Sequence, residues 1–269
     1  MGGTYAVLAD RGVQLTNVCC TDGQLATIVD PTMDEASTRP RLGEVRRTEL
    51  RQACAILGVS DVRFFGYHDS GMAGTETNND AHAFFRCNTD EAVGRLVAAL
   101  RQVRPHVVVT YDGYGGYGHP DHIQAHRITL LAVEAAQHRR MYSDAGPPWL
   151  VSKLYYTCFR RGDVQRMIEF ALAAGEPHPF DGTSVDELDF LAEDGTVTTS
   201  VDVSAGLERR RRALLAHRSQ IDGSFPLLTI PPDAERELFS NEHYVLALTR
   251  VPVVLPETDL FAGVDVSAA

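Results

Sequence analysis

A chain of 269 residues with 44% hydrophobic and 23% charged side chains has the composition of a globular protein with a large core. Its 25 basic and 36 acidic residues give a net charge of −11, which argues against a general nucleic-acid binder, because that affinity rests on neutralising phosphates. No apolar run approaches the roughly 20 residues of a membrane helix, and no basic start, apolar middle and small-residue site marks a signal peptide.

The elements then follow in order. Residues 4–10 read as the end of a helix stopped near Gly12. Residues 13–20 read as a strand, with Thr21, Asp22 and Gly23 as the turn at its carboxyl end. The mixed stretch 23–40 is expected to be a loop. Residues 41–57 form a helix with Leu42, Val45, Leu50, Ala53, Cys54 and Leu57 inward and Gly58 as its stop. Arg46 lies one position off that face, where a surface ion pair and a substrate-facing guanidinium are both open readings. A short strand over 62–65 leads into the polar, glycine-bearing loop from Gly66 to Met72, and 73–88 reads as a flap. Asn88 or Thr89 caps the next helix, whose stripe is Val93, Leu96, Val97, Leu100 and Val103. After Pro105, residues 106–110 read as a strand buried on both faces, as in a parallel sheet.

This alternation of helix and strand argues for an α/β fold, a Rossmann-like, mostly parallel sheet wound with helices. Neither a GxGxxG turn nor a GxxxxGK[ST] loop is present, so dinucleotide and P-loop readings have no support. Further on, residues 151–157 form a strand, 163–172 a helix, and 197–203 an alternating strand, as at an edge or on a half-exposed face. A helix carrying Arg209 to Arg212 follows, read as a solvated face paired to acids, and His217 marks its end. A short helix over 231–239 and a strand over 242–248 precede an extended tail. The organisation expected is a Rossmann-like core over 1–150 and an α+β elaboration over 151–269. Five cysteines, an odd number without zinc-knuckle or CxxC spacing, read as reduced residues of a cytoplasmic protein.

The densest chemistry lies between Tyr111 and His126, in Tyr-Asp-Gly-Tyr-Gly-Gly-Tyr-Gly-His-Pro-Asp-His-Ile-Gln-Ala-His. In open α/β sheets ligands bind beyond the carboxyl ends of strands, where this loop falls. Pro120 suits the first helical position, which puts His119 at the cap and Asp121 and His122 in the first turn. Imidazoles and a carboxylate so close together suit zinc, which takes nitrogen and oxygen ligands. His126 falls on the stripe of Ile123, Leu130 and Val133 and reads as packed rather than ligating.

The segment from Gly116 to His122 after Val107-Val108-Val109-Thr110-Tyr111 resembles the second signature of the PIG-L/LmbE zinc N-deacetylases. Within that family it is most similar to the mycothiol-pathway deacetylases and S-conjugate amidases. The likeness extends to the stretch from Arg46 to Leu50, Asp69-Ser70-Gly71-Met72, His217-Arg218-Ser219-Gln220 and Glu242-His243-Tyr244. The resemblance implies His122 as a zinc ligand, His119 as the residue that stabilises or protonates the tetrahedral intermediate, Asp121 as a carboxylate that orients a histidine and Tyr117 as an oxyanion donor. It implies Asp69 and Arg46 as holders of sugar hydroxyls, and His217 in a segment that approaches the pocket shaped by 151–269. The expected activity is amide hydrolysis on a glucosamine-containing glycoside, by a deacetylase or an amidase, with a small-molecule amino-sugar as partner and neither nucleic acid nor membrane. The family's first signature, His-Pro-Asp-Asp after the first strand, is absent. The chain opens on Met1-Gly2-Gly3-Thr4-Tyr5, which resembles the helix after that loop, so the first strand and two further zinc ligands are expected to be missing. The alternative reading is a non-catalytic ligand-binding homologue without a metal centre.

Overall fold

Two separate sheets carry the fold, one in each of two compact units. The structure, a computed structural model, describes residues 1–266 except Asp181, Gly223, Ser224, Pro226, Leu227 and Thr229.

The first unit comprises residues 1–71, 163–187 and 202–242. Its sheet pairs β1 (Thr16–Thr21) with β2 (Asp61–Tyr67) in parallel. Helix α1 (Gly2–Asp10) precedes β1, and a one-turn helix α2 (Glu35–Thr38), capped by the Asp34 carboxylate, interrupts the loop expected over 23–40. Helix α3 (Leu42–Leu57) ends where Gly58 adopts φ +83°, a left-handed conformation that closes helices cheaply only with glycine. Leu42, Ala53, Cys54 and Leu57 are buried as the periodicity predicts, whereas Val45 and Leu50 are only half-buried. The unexpected inward residue is Glu49, 5% exposed.

The second unit comprises residues 72–162, 188–201 and 243–269. Between 73 and 88 the chain makes two 3-10 turns, anchored by the fully buried Ala83 and Phe84. Asn88 then caps α4 (Thr89–Val103) by accepting from the amides of Asp90 and Glu91. Strand β3 (Val107–Thr110) leads through the irregular turn α5 (Gly115–Gly118) into α6 (Pro120–Ala136). The sheet continues with β4 (Lys153–Thr157), and the helix α7 (Arg161–Ala173) follows it in sequence. Along the chain, α8 (Leu207–Leu215) and α9 (Pro232–Phe239), both of the first unit, separate β5 (Thr199–Asp202) from β6 (Asn241–Thr249). The strand order is β3-β4-β6-β5, with β3 parallel to β4 and β6 antiparallel to it.

The α/β class holds: among the described residues β1 and β2 form a parallel pair, and a four-stranded sheet joins β3 to β4 in parallel and β4 to β6 antiparallel. Two expectations change. Strand β3 is an edge of its sheet, and its four residues are half-buried rather than enclosed, because a neighbour pairs it on one side. In α6 the inward stripe is Gln124, Ile128, Ala132, Val133 and Ala136, and Leu130 is 36% exposed. The small alanines let α6 approach α4 closely, so the phase of the helix follows close packing rather than side-chain size. Strand β5 is the edge its alternation predicts, with a buried, half-buried, buried, exposed pattern. Three of the four arginines of α8 pair with acids: Arg209 with Asp10, and Arg210 and Arg211 with Glu235.

Candidate active site

The loop after β3 is shaped by one carboxylate and one glycine. Asp112 Oδ1 accepts the backbone N–H groups of Tyr114 at 3.1 Å and Gly116 at 2.9 Å, folding the chain into a tight turn. Gly115 has φ +72°, and a Cβ there would stand 2.7 Å from the Ile123 nitrogen and 2.9 Å from His122 Cβ. Only glycine allows that approach. It brings the Gly115 carbonyl to 3.0 Å from His122 Nδ1. A carbonyl only accepts, so Nδ1 carries the proton and Nε2 keeps its lone pair. The Tyr111 ring stacks on His122 with centroids 4.0 Å apart and 6° between planes, and Tyr117 meets it edge-on at 5.0 Å. The imidazole is thus fixed in both tautomer and plane.

His119 is the cap of α6, and its Nδ1 accepts the Asp121 N–H at 3.1 Å. Its remaining ring proton therefore belongs on Nε2. The two imidazoles, 5.0 Å apart, hold opposite tautomers: Nε2 of His122 offers a lone pair and Nε2–H of His119 offers a proton. Asp121 is 6% exposed, with Oδ2 4.0 Å from His119 Nδ1. Tyr117 is 47% exposed, and its ring lies 6.2 Å from that of His119. A histidine whose Nδ1–H is tied to a carbonyl is the form that ligates metals through Nε2, so His122 fits a metal ligand. His126 donates Nδ1–H to the Tyr111 carbonyl at 2.9 Å and packs on Tyr156, which supports the loop from behind.

The first unit brings Arg46 and His217 together and holds Asp69 on the neighbouring loop. Arg46 donates to the Gly23 carbonyl at 2.8 Å. Gly23 has φ +61°, and a Cβ there would fall 1.6 Å from the Arg46 guanidinium. Asp22, read as a turn residue, instead takes a two-bond clasp from Arg47 at 2.8 and 2.7 Å. The Asp69 amide donates to Gln24 Oε1 at 3.3 Å, and its carboxylate accepts from Gly71 N. His217 is pushed below the ordinary histidine range by burial; Glu49 opposes that shift and Arg46 adds to it. Sequence reading missed Asp112, Gly115, Gln24, Glu49 and Ser219. The one available signal was Glu49, a charge standing on the apolar stripe of α3.

The model of the PIG-L family, described as GlcNAc-PI de-N-acetylase, matches residues 1–133. The chain is 41% identical over 270 residues to the 1D-myo-inositol 2-acetamido-2-deoxy-alpha-D-glucopyranoside deacetylase of Geodermatophilus obscurus, spanning 97% of this chain and 92% of the relative. It is also 41% identical to the protein of that name from Acidothermus cellulolyticus, spanning 100% of this chain and 91% of the relative. Among solved structures, the N,N'-diacetylchitobiose deacetylase from Pyrococcus horikoshii superposes with a TM-score of 0.61 at 20% identity, covering 91% of this chain and 77% of that one, a likeness of fold. The chain belongs to the PIG-L family. The curated relatives it matches at this level are sugar N-deacetylases.

Proposed function

We propose that the chain hydrolyses the N-acetyl amide of a glucosamine glycoside, with a 2-acetamido-2-deoxyglucopyranoside of an inositol as its substrate. The opposite tautomers of His119 and His122 carry this reading, because amide hydrolysis needs a ligand lone pair and a proton donor side by side. His122 Nε2 would contribute one ligand to a zinc ion, and that ion would polarise the amide carbonyl and acidify a bound water. Nε2–H of His119 donates to the tetrahedral intermediate, and Asp121 keeps that ring oriented from the first turn of α6. Tyr117, 47% exposed, donates its hydroxyl to the developing oxyanion. Arg46, Asp69 and His217 bind sugar hydroxyls. Within this reading the core over 1–150 is Rossmann-like, and five free cysteines suit a reducing cytoplasm. No helix among the described residues is long and apolar enough to cross a membrane.

Metal analysis and acetate release test this together. His122→Ala should lose bound zinc, whereas His119→Ala should keep zinc and lose about 10²–10⁴-fold in kcat. Zinc-loaded protein that frees no amine from any N-acetylglucosaminide would sink the enzymatic reading and leave the ligand-binding one.

A further inference from the structure

Glu49 is a buried carboxylate that the reaction above does not use. It lies one turn beyond Arg46 on α3, 5% exposed, facing a fully buried Ser219. Its two oxygens are both occupied: Oε1 accepts the Ser219 N–H and Oε2 the Ser219 hydroxyl, each at 2.7 Å. Ser219 belongs to the turn that follows α8. In that turn the His217 carbonyl accepts from the amides of Gln220 and Ile221, both at 2.9 Å. The turn is also tied from its other side, by Val29 N to the Ser219 carbonyl at 2.9 Å and by Gln220 Nε2 to the Thr27 carbonyl at 3.1 Å. Burying a carboxylate is costly, and a neutral side chain would tie the same turn for less. What the charge adds is a field on the neighbouring imidazole. Among the described residues, the charged groups that act on His217 are Glu49 and Arg46, with opposite signs and both on α3.

We propose that Glu49 is a positioning residue: it fastens the 217–220 turn to α3 and sets the His217 imidazole, against Arg46, as a hydrogen-bonding partner for a sugar hydroxyl. The proposal rests on the reading of His217 as a sugar-binding group. Its electrostatic half stands apart from catalysis. Burial, with Arg46 adding to it, favours the neutral imidazole, and Glu49 restores part of its affinity for a proton. One helix therefore supplies both the substrate-facing guanidinium and the group that balances it.

Histidine NMR titration of the intact protein, assigned with His217→Gln, tests this without substrate. Glu49→Gln should lower the His217 midpoint by about one pH unit, tenfold in proton affinity, and Arg46→Met should raise it by about as much. With the N-acetylated sugar, Glu49→Gln should raise KM about tenfold and leave kcat within about twofold. Midpoints that stay put, or that move in the same direction in both folded variants, overturn the proposal, as does an unchanged KM. Should Glu49→Gln not fold, Arg46→Met alone still decides the field by the direction of its shift. A wild-type protein inactive on every acetylated sugar refutes the deacetylase reading, while the titration still judges Glu49.

Discussion

His122 and Gly115 are joined by a hydrogen bond of 3.0 Å between the imidazole Nδ1–H and a carbonyl that glycine alone brings within reach. Replacing Gly115 by alanine forces a Cβ into the Ile123 nitrogen at 2.7 Å and strains φ +72°. The carbonyl must swing away, and the imidazole loses its fixed tautomer. Zinc affinity in Gly115→Ala is expected to fall about 10–100-fold, as when other outer partners of ligating histidines are lost. Isothermal titration with zinc measures it; unaltered affinity would show that this bond does not set the ligand.

Gly23 offers a second steric test, away from the histidines. Its added methyl group would overlap the Arg46 guanidinium at 1.6 Å. Gly23→Ala should therefore displace Arg46 and reproduce the KM increase of Arg46→Ala, with a double variant no worse than either single one. Steady-state kinetics on the three proteins decide it, additive losses being the contrary result.

Lys153, Glu257 and Tyr155 form a buried polar cluster. Lys153 Nζ lies 2.5 Å from Glu257 Oε1, and Tyr155 donates its hydroxyl to Oε2 at 2.7 Å. Burial first, then the Glu257 hydrogen bond and charge, push the Tyr155 phenol well above the usual range. The cluster fastens the tail to β4, since Lys153 also donates to the Ala262 carbonyl at 2.9 Å. Lys153→Met strands a buried carboxylate and should cost about 3–5 kcal/mol, whereas Lys153→Met with Glu257→Leu should cost clearly less. Urea unfolding of both variants measures the difference, and equal losses would deny the coupling.

Tyr142 gives a pH-dependent signature. Its hydroxyl donates to Asp90 Oδ1 at 2.5 Å, and that hydrogen bond, followed by burial, raises its pKa to about 12. A raised folded-state pKa means that the stabilisation is intact below the unfolded value of about 10 and is lost as pH climbs through about 12. Asp90→Asn should return the phenol towards the ordinary tyrosine value, seen in the ultraviolet absorbance of tyrosinate. Loss of one tyrosine transition near pH 12 is the expected result, and a titration curve that Asp90→Asn leaves unchanged would assign the shift to another group.

Much of the local structure was legible in the residues. Gly58, Asn88 and Pro120 mark helix ends by backbone conformation and hydrogen-bonding capacity, and those depend on neighbours a few positions away. The cluster from Tyr117 to His122 stands out for the same reason, since its histidines and carboxylate share one helix start. The phase of α6 was misjudged because its stripe was read from large side chains, while the buried face is set by alanines packed against α4.

By itself the sequence determined which residues cap, turn and periodically bury, and which segment gathers imidazoles. Tertiary structure alone decided which ring nitrogen of His119 and of His122 carries the proton, because the amide of Asp121 and the carbonyl of Gly115 are placed by the loop's three-dimensional path. It also decided the partners of Glu49 and Lys153, which lie 170 and 104 residues away along the chain. A buried charge finds its counterpart through packing, and packing is a property of the folded chain rather than of any short stretch of it.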